Sequence, residues 1–364
     1  MVQYPKYKVA AAHVAPVYYD IEKSVDKACH YIKKAANQGV KLIAFAETFI
    51  PGYPNWARLV RPIESDEFFI DYAARSILVD GPEINKIRQV AKENNIVVSI
   101  GFSERTPISV GCLWNSNVII GANGHILAHH RKLVPTYVEK LIFTHGDGAG
   151  LKVCDTQLGR IGMLICGENT NPLARFSLMA QGEQVHIASY PSVAPARPSP
   201  GTGGYKIQEG IQIRSAAHSF EAKAFTIVAA APFDDTARNA LANLGEENLQ
   251  LLDNGSRATS FVLGPTGELL TDVYDYEEGL AIAEINLQDC VAHKRMHDVV
   301  GYYNRFDIFN LTVNRGAHRA ATFIDEPFNP AKGQELKTEK TQSRGEQIAA
   351  NSTCSIIKDP SETT

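Results

Sequence analysis

The chain has 364 residues, enough for one large domain or two, and 44% of them are apolar, so a sizeable core can be buried. Lys and Arg number 36 against 40 Asp and Glu, a net charge of −4 with no overall basic field to hold phosphate backbones, so nucleic acid is excluded as an expected partner. No apolar run approaches the ~18 residues of a membrane span, and the cysteines at 29, 112, 154, 166, 290 and 354 form no CxxC pair and are too sparse for a disulfide framework.

Lys6 and Lys8 before an alanine-rich run loosely imitate a signal peptide, but His13 and Pro16 interrupt it, so residues 8–14 read as the first strand of a cytosolic protein. Residues 21–37 carry Val25, Ala28, Cys29 and Ile32 at helical spacing, with Gly39 past the end. The continuous apolar run 42–46 predicts a strand covered on both faces. A helix is expected over 83–94 and strands over 96–102, 114–121 and 125–130, the last two joined by an Asn123-Gly124 turn. Further along, strands are expected over 161–165, 185–188, 225–230, 259–263, 270–274 and 280–285, and helices over 171–181 and 205–223. This is mixed α/β with hairpins, so the sheet cannot be purely parallel.

Residues 299–315 are rich in aromatics, with Tyr302, Tyr303, Phe306 and Phe309. Residues 329–364 have none and are dominated by Lys, Glu, Thr, Ser and Gln; such a segment buries too little to offset its ordering entropy and is expected to be disordered. The division is therefore a main domain over 1–290, an extension over 291–328 with an expected role in assembly, and a polar tail over 329–364.

Glu47, Lys132 and Cys166 each sit where an expected strand ends, and in α/β sheets ligands collect at strand ends. Alone, each has an ordinary reading: a solvated turn carboxylate, part of a basic patch, a small core hydrophobe. Together they suit acyl-type transfer. A thiolate attacks an electrophilic carbon, a carboxylate moves protons, and a cation stabilises developing negative charge. Cys166 also precedes Gly167-Glu168-Asn169-Thr170-Asn171-Pro172 and a helix, an elbow that exposes the nucleophile beside backbone N–H groups.

Three blocks, Ala46-Glu47-Thr48-Phe49, His130-Arg131-Lys132-Leu133-Val134-Pro135-Thr136-Tyr137 and Ile165-Cys166-Gly167-Glu168-Asn169, resemble the catalytic blocks of the nitrilase superfamily. The runs 146–150 and 171–175 narrow the likeness to the nitrilase branch, and it covers about residues 7–312 in order. The resemblance implies a four-layer α-β-β-α sandwich, Cys166 as nucleophile, Glu47 as general base, Lys132 as stabilising cation and Glu139 as a further carboxylate of the site. It implies no metal and no organic cofactor, a small-molecule nitrile as substrate, and a homo-oligomer of dimers extending into spirals. Gly167 stands where the family often has Trp, and Val138 where it often has His. Tyr53, Trp56, Tyr137 and Tyr190 are candidate pocket residues alongside Gly167, with ordinary core packing an equal alternative for the aromatics.

The expected reaction is hydrolysis of a nitrile to a carboxylic acid and ammonia. The alternatives are hydration of a nitrile or cyanide to the amide, an amidase or carbamoylase of the same superfamily, and a non-catalytic filament-forming relative. Two weaker signals are set aside: 146–150 reads as a turn and not a phosphate cradle, and His293 with His297 lacks the carboxylate of an HExxH site. Cys112 and Cys154 are expected in the core.

Overall fold

Alternation of side chains along buried strands is what builds this molecule. A computed structural model describes residues 3–194 and 206–321. The strands are β1 (Lys6–His13), β2 (Val40–Ala44), β3 (Val97–Arg105), β4 (Leu113–Ile120), β5 (Ile126–Arg131), β6 (Cys154–Thr156), β7 (Gly159–Ile165), β8 (Val185–Ser189), β9 (Val193–Ala194), β10 (Phe225–Ala229), β11 (Ser256–Arg257), β12 (Phe261–Leu263) and β13 (Gly279–Asn286). The helices are α1 (Ile21–Asn37), α2 (Asp66–Ala74), α3 (Pro82–Glu93), α4 (Pro172–Met179), α5 (Ile207–Ala222), α6 (Asp235–Ala240), α7 (Glu246–Asp253) and α8 (Gln288–Lys294). All belong to the unit Met1–Ala317, and the chain divides from His318 onward.

One sheet runs β13-β1-β2-β3-β4-β5 and the other β12-β10-β8-β7-β6, with β9 and β11 forming a separate two-stranded ladder. Val9 and Ala11 of β1 and Leu42 and Ala44 of β2 face Ile161, Met163, Val185, Ile187 and Ile227 of the second sheet, which makes the dry layer between sheets. The alternate residues, Ala10, Ala12 and Ile43, face Val25, Ile32, Ile84 and Ile87 on α1 and α3. On the far side, Ala188 and Val228 meet Ile207 and Ile211 of α5, and Leu164 meets Ala174 and Leu178 of α4. The order is helix, sheet, sheet, helix, so the four-layer α-β-β-α sandwich is the fold. Period-2 alternation with both faces apolar is why these strands read as unbroken hydrophobic runs.

Local signals set the element ends. Asp20 caps α1 by accepting from the Lys23 N–H, and Asn171 caps α4 ahead of Pro172. The β4–β5 hairpin turns on Gly124, whose positive φ of 81° an L side chain rarely adopts. One strand expectation is corrected. Residues 270–274 form no strand; single bridges join Ser260 to Tyr274 and Leu263 to Leu269. Leu269, Leu270 and Val273 stay exposed, so nothing covers a second face there. Cys154 is buried, but Cys112 is only half-buried, its thiol donating to Thr144 Oγ1 at 3.2 Å, which corrects its placement in the core. The expected disordered tail, 329–364, lies outside the described residues. Among the described residues no helix is long and apolar enough to cross a membrane.

Candidate active site

The two sheets bring their strand ends together at one edge. Glu47 follows β2, and its N–H donates to the Tyr190 carbonyl just after β8 at 3.1 Å, tying one sheet to the other. Lys132 follows β5, and its N–H donates to the Asn115 carbonyl of β4 at 2.8 Å. Cys166 follows β7 and opens a short 3-10 turn, 166–170, with φ of +51°. That left-handed conformation is strained for a residue with a Cβ and is typical of a functional turn.

Lys132 and Glu47 are fully buried and bonded at 2.7 Å through Oε1. Glu139 takes a second ammonium hydrogen on Oε2 at 2.7 Å. Asn115 Nδ2 also donates to Glu47 Oε1, at 2.7 Å, and Tyr53 OH donates to Glu139 Oε1 at 2.7 Å. The Thr136 N–H completes the cradle of Glu139 at 2.9 Å. Glu47 Oε2 is buried and accepts from none of the described residues.

Burial pushes the Glu47 carboxyl up to about 7, with Lys132 and Asn115 pulling down and Glu139 pushing further up. Burial works to lower the Lys132 ammonium, but Glu139 and Glu47 outweigh it and hold it well above the ordinary lysine value. Burial drives the Cys166 thiol far up, Glu47 adds to this and Lys132 opposes it. The resting site therefore holds a neutral thiol beside a carboxylate whose proton affinity lies near neutrality, the range suited to a general base.

Glu168 joins the Cys166 turn to the Lys132 loop. Its carboxylate accepts from the Ile165 N–H at 2.7 Å, the Leu133 N–H at 2.6 Å and His130 Nε2 at 2.9 Å. Burial raises its pKa, but His130 and the two backbone donors leave it below the ordinary range.

Glu47, Lys132, Glu139 and Tyr53 thus form one bonded cluster whose charges Cys166 feels. Tyr190 is buried, contributing its carbonyl to Glu47 and its ring to a cluster with Ile207 and Ile211. Trp56 packs against Phe68 and Tyr72 in an aromatic cluster. Tyr137 stands in solvent at 77% exposure. A Cβ at Gly167 would come to 2.9 Å from Thr136 Oγ1. Glu47 and Tyr53 also line a narrow cleft with Tyr18, Phe49, Ser192 and Pro232. Sequence reasoning missed Asn115, whose signal was the polar run Asn115-Ser116-Asn117 inside a strand that is buried along almost its whole length. It also gave Glu168 and Asn169 no role.

A cysteine on a strand–turn elbow beside a buried Glu–Lys–Glu cluster, held between two sheets flanked by helices, is an arrangement chemically able to combine thiol attack, proton transfer and charge stabilisation. A family model described as carbon-nitrogen hydrolase matches residues 8–295, and the chain belongs to that family. It is 35% identical over 334 residues to a cyanide hydratase of Botryotinia fuckeliana (strain T4), covering 89% of this chain and 87% of that protein. It is 36% identical over 319 residues to a bromoxynil-specific nitrilase of Klebsiella pneumoniae subsp. ozaenae, covering 87% and 88%. The fold is similar to that of the Caenorhabditis elegans NitFhit protein, with a TM-score of 0.65 at 19% identity over 88% of this chain and 70% of that one.

Proposed function

We propose that the protein is a nitrilase that hydrolyses an organic nitrile to the carboxylic acid and ammonia. One observation carries the reading: Glu47 gives one oxygen to Lys132 and Asn115 and keeps Oε2 without a partner among the described residues. An ionised carboxylate so arranged is oriented yet open to take a proton. Glu47 Oε2 takes the Cys166 thiol proton as Sγ adds to the nitrile carbon, and the proton passes to the nitrile nitrogen, giving a thioimidate. Lys132 and the Gly167 N–H stabilise the negative charge. Water, deprotonated by Glu47, adds to form a tetrahedral species; expulsion of ammonia leaves a thioester, and a second water releases the acid and the free thiol. Glu139 holds Lys132 and balances its charge, since a buried ammonium without a partner is costly.

The 35% identical cyanide hydratase favours a second reading, in which the tetrahedral species expels the thiol instead and releases the amide. The test is a panel of aliphatic, arylacetonitrile and aromatic nitriles, cyanide, and the matching amides, with ammonia, acid and amide all quantified. Ammonia and acid from nitriles, none from Cys166→Ala, and a turnover-quenched mass adduct on Cys166 are expected. Turnover of amides alone, or an adduct on another cysteine, would replace this reading by the amidase one or reassign the nucleophile. A cytoplasmic location fits a thiol nucleophile, and the five described cysteines are all free.

A further inference from the structure

A second buried polar cluster lies behind the nucleophile turn and takes no part in the chemistry above. Glu183, between α4 and β8, His186 on β8 and His218 on α5 are all buried. Glu183 Oε1 meets His186 Nδ1 at 2.8 Å, and Glu183 Oε2 meets His218 Nε2 at 2.8 Å. The other nitrogen of His186, Nε2, meets Asn169 Oδ1 at 2.8 Å. Asn169 lies in the nucleophile turn, and its Nδ2 donates to the carbonyls of Cys166 at 3.1 Å and Leu164 at 3.3 Å.

The hydrogens can be assigned along this chain. Asn169 uses its NH2 on two carbonyls, so its Oδ1 faces His186 and His186 Nε2 must donate. His186 Nδ1 meets the Glu183 carboxyl, with one hydrogen between them. His218 gives Glu183 its Nε2 hydrogen, and its Nδ1 has no partner among the described residues. Burial pushes Glu183 up, but His186 and His218 hold it down at about 2, while burial and His186 lower His218 to about 4, consistent with an ionised carboxylate and one neutral ring. Arg175, which pairs with Glu221 at 2.8 Å, also bears on His218 and lowers it.

We propose that Glu183, His186 and Asn169 form a hydrogen-bonded relay that holds the main chain at Cys166 in its left-handed conformation, making all three positioning residues for the nucleophile. The inference rests on the assignment of Cys166 as nucleophile. A turn with positive φ at a non-glycine residue relaxes unless its surroundings over-determine it. Asn169 supplies that constraint by gripping the carbonyl on each side of Ile165, and the Glu183–His186 hydrogen bond behind it fixes Asn169 in one orientation. The same three side chains, Glu183, His186 and His218, lie close enough to hold a cation. Here both carboxyl oxygens are already hydrogen-bonded to ring nitrogens, and the rings stack at 3.8 Å between centroids, so a hydrogen-bonded relay accounts for the arrangement.

The test uses the full chain. Asn169→Asp keeps the shape but replaces both N–H donors with an acceptor facing two carbonyls. It should lower kcat about 100-fold, the scale of a misplaced reacting group, with KM within about threefold, and slow iodoacetamide alkylation of Cys166 by a similar factor. His186→Gln retains a donor toward Asn169 and should keep at least about tenfold more kcat than His186→Leu. If the variants fail to fold, nitrogen-15 imidazole spectra of the wild-type protein still decide: His186 Nε2 should carry the hydrogen that it donates to Asn169 Oδ1. A kcat for Asn169→Asp within about threefold of wild type, equal rates for the two His186 variants, a His186 without a hydrogen on Nε2, or a stoichiometric divalent metal bound at the three side chains would each overturn the relay. A wild-type enzyme that turns over no nitrile would sink the nitrilase reading instead, leaving the alkylation and nitrogen-15 results to judge the relay.

Discussion

At Glu47 a single carboxyl group has two opposed demands placed on it. Its pKa of about 7 in the fold lies above the ordinary 4.5, so the folded state binds more protons than the unfolded chain between those values. Stability contributed by this group therefore falls as pH rises through that window, the reverse of the usual paired carboxylate. The same shift makes Glu47 a base near neutrality. The acid limb of kcat/KM should thus have an apparent pKa near 7, with activity rising as Glu47 ionises. Glu139 pushes the Glu47 pKa up, and its loss would leave Lys132 wholly to Glu47. Glu139→Gln should therefore move the limb to lower pH. Measured pH–rate profiles check this, and a limb that stays in place or moves upward would show that Glu139 does not set the proton affinity of Glu47. Lys132→Ala is a poorer probe because it leaves two buried carboxylates facing each other, a folding cost of several kcal/mol.

Between the strand ends, Glu168 is the joint. It accepts the N–H groups of Ile165 from the Cys166 side and Leu133 from the Lys132 side. Glu168→Gln turns one oxygen into an NH2 that faces a backbone donor whichever way the amide is set. The variant should lose about 1–3 kcal/mol in denaturant unfolding and lose kcat with it; an unchanged midpoint would mean the loops are held by other contacts. Much at this scale was legible in the sequence. The apolar runs of β2, β7 and β8 are covered on both faces, so composition alone marked them, and Glu47 and Cys166 stood out because they end two of those runs, while Lys132 ends the hairpin strand β5. What sequence could not supply was long-range pairing of polar groups: Tyr53 with Glu139, His186 with Asn169, and Asn115 with Glu47 are joined across loops and between strands of different order. The run 146–150 shows the same limit. Glycine content suggested a turn, while the structure adds a close approach: a Cβ on Gly146 would fall 2.1 Å from the Arg131 carbonyl oxygen, beside Lys132. The failed strand at 270–274 had apolar residues but no surface to bury them.

Across the whole molecule, the outer helices carry the extension that follows α8. Val299 and Val300 pack on Phe176, Met179, Ala222 and Ala224, and Val313 packs beside Leu151, Leu164 and Leu178. Asn314 lies so close over Gly148 that a Cβ there would meet its carbonyl oxygen at 2.0 Å. These anchors leave the stretch between them facing outward: Tyr302, Tyr303, Phe306, Ile308 and Phe309 are each 59–69% exposed. An apolar patch of that kind on a chain with few other reasons to display it marks an interaction surface, and we propose that it is where copies of this chain associate. Phe306→Glu with Phe309→Glu places two like charges on the patch and touches neither anchor nor active site. Light scattering after gel filtration should show a smaller assembly, with protomer unfolding near the wild-type midpoint because neither side chain is part of the core. Unchanged mass at the same concentration would move the association surface elsewhere, and a lowered midpoint would mean that the aromatics support the outer helices of the protomer itself.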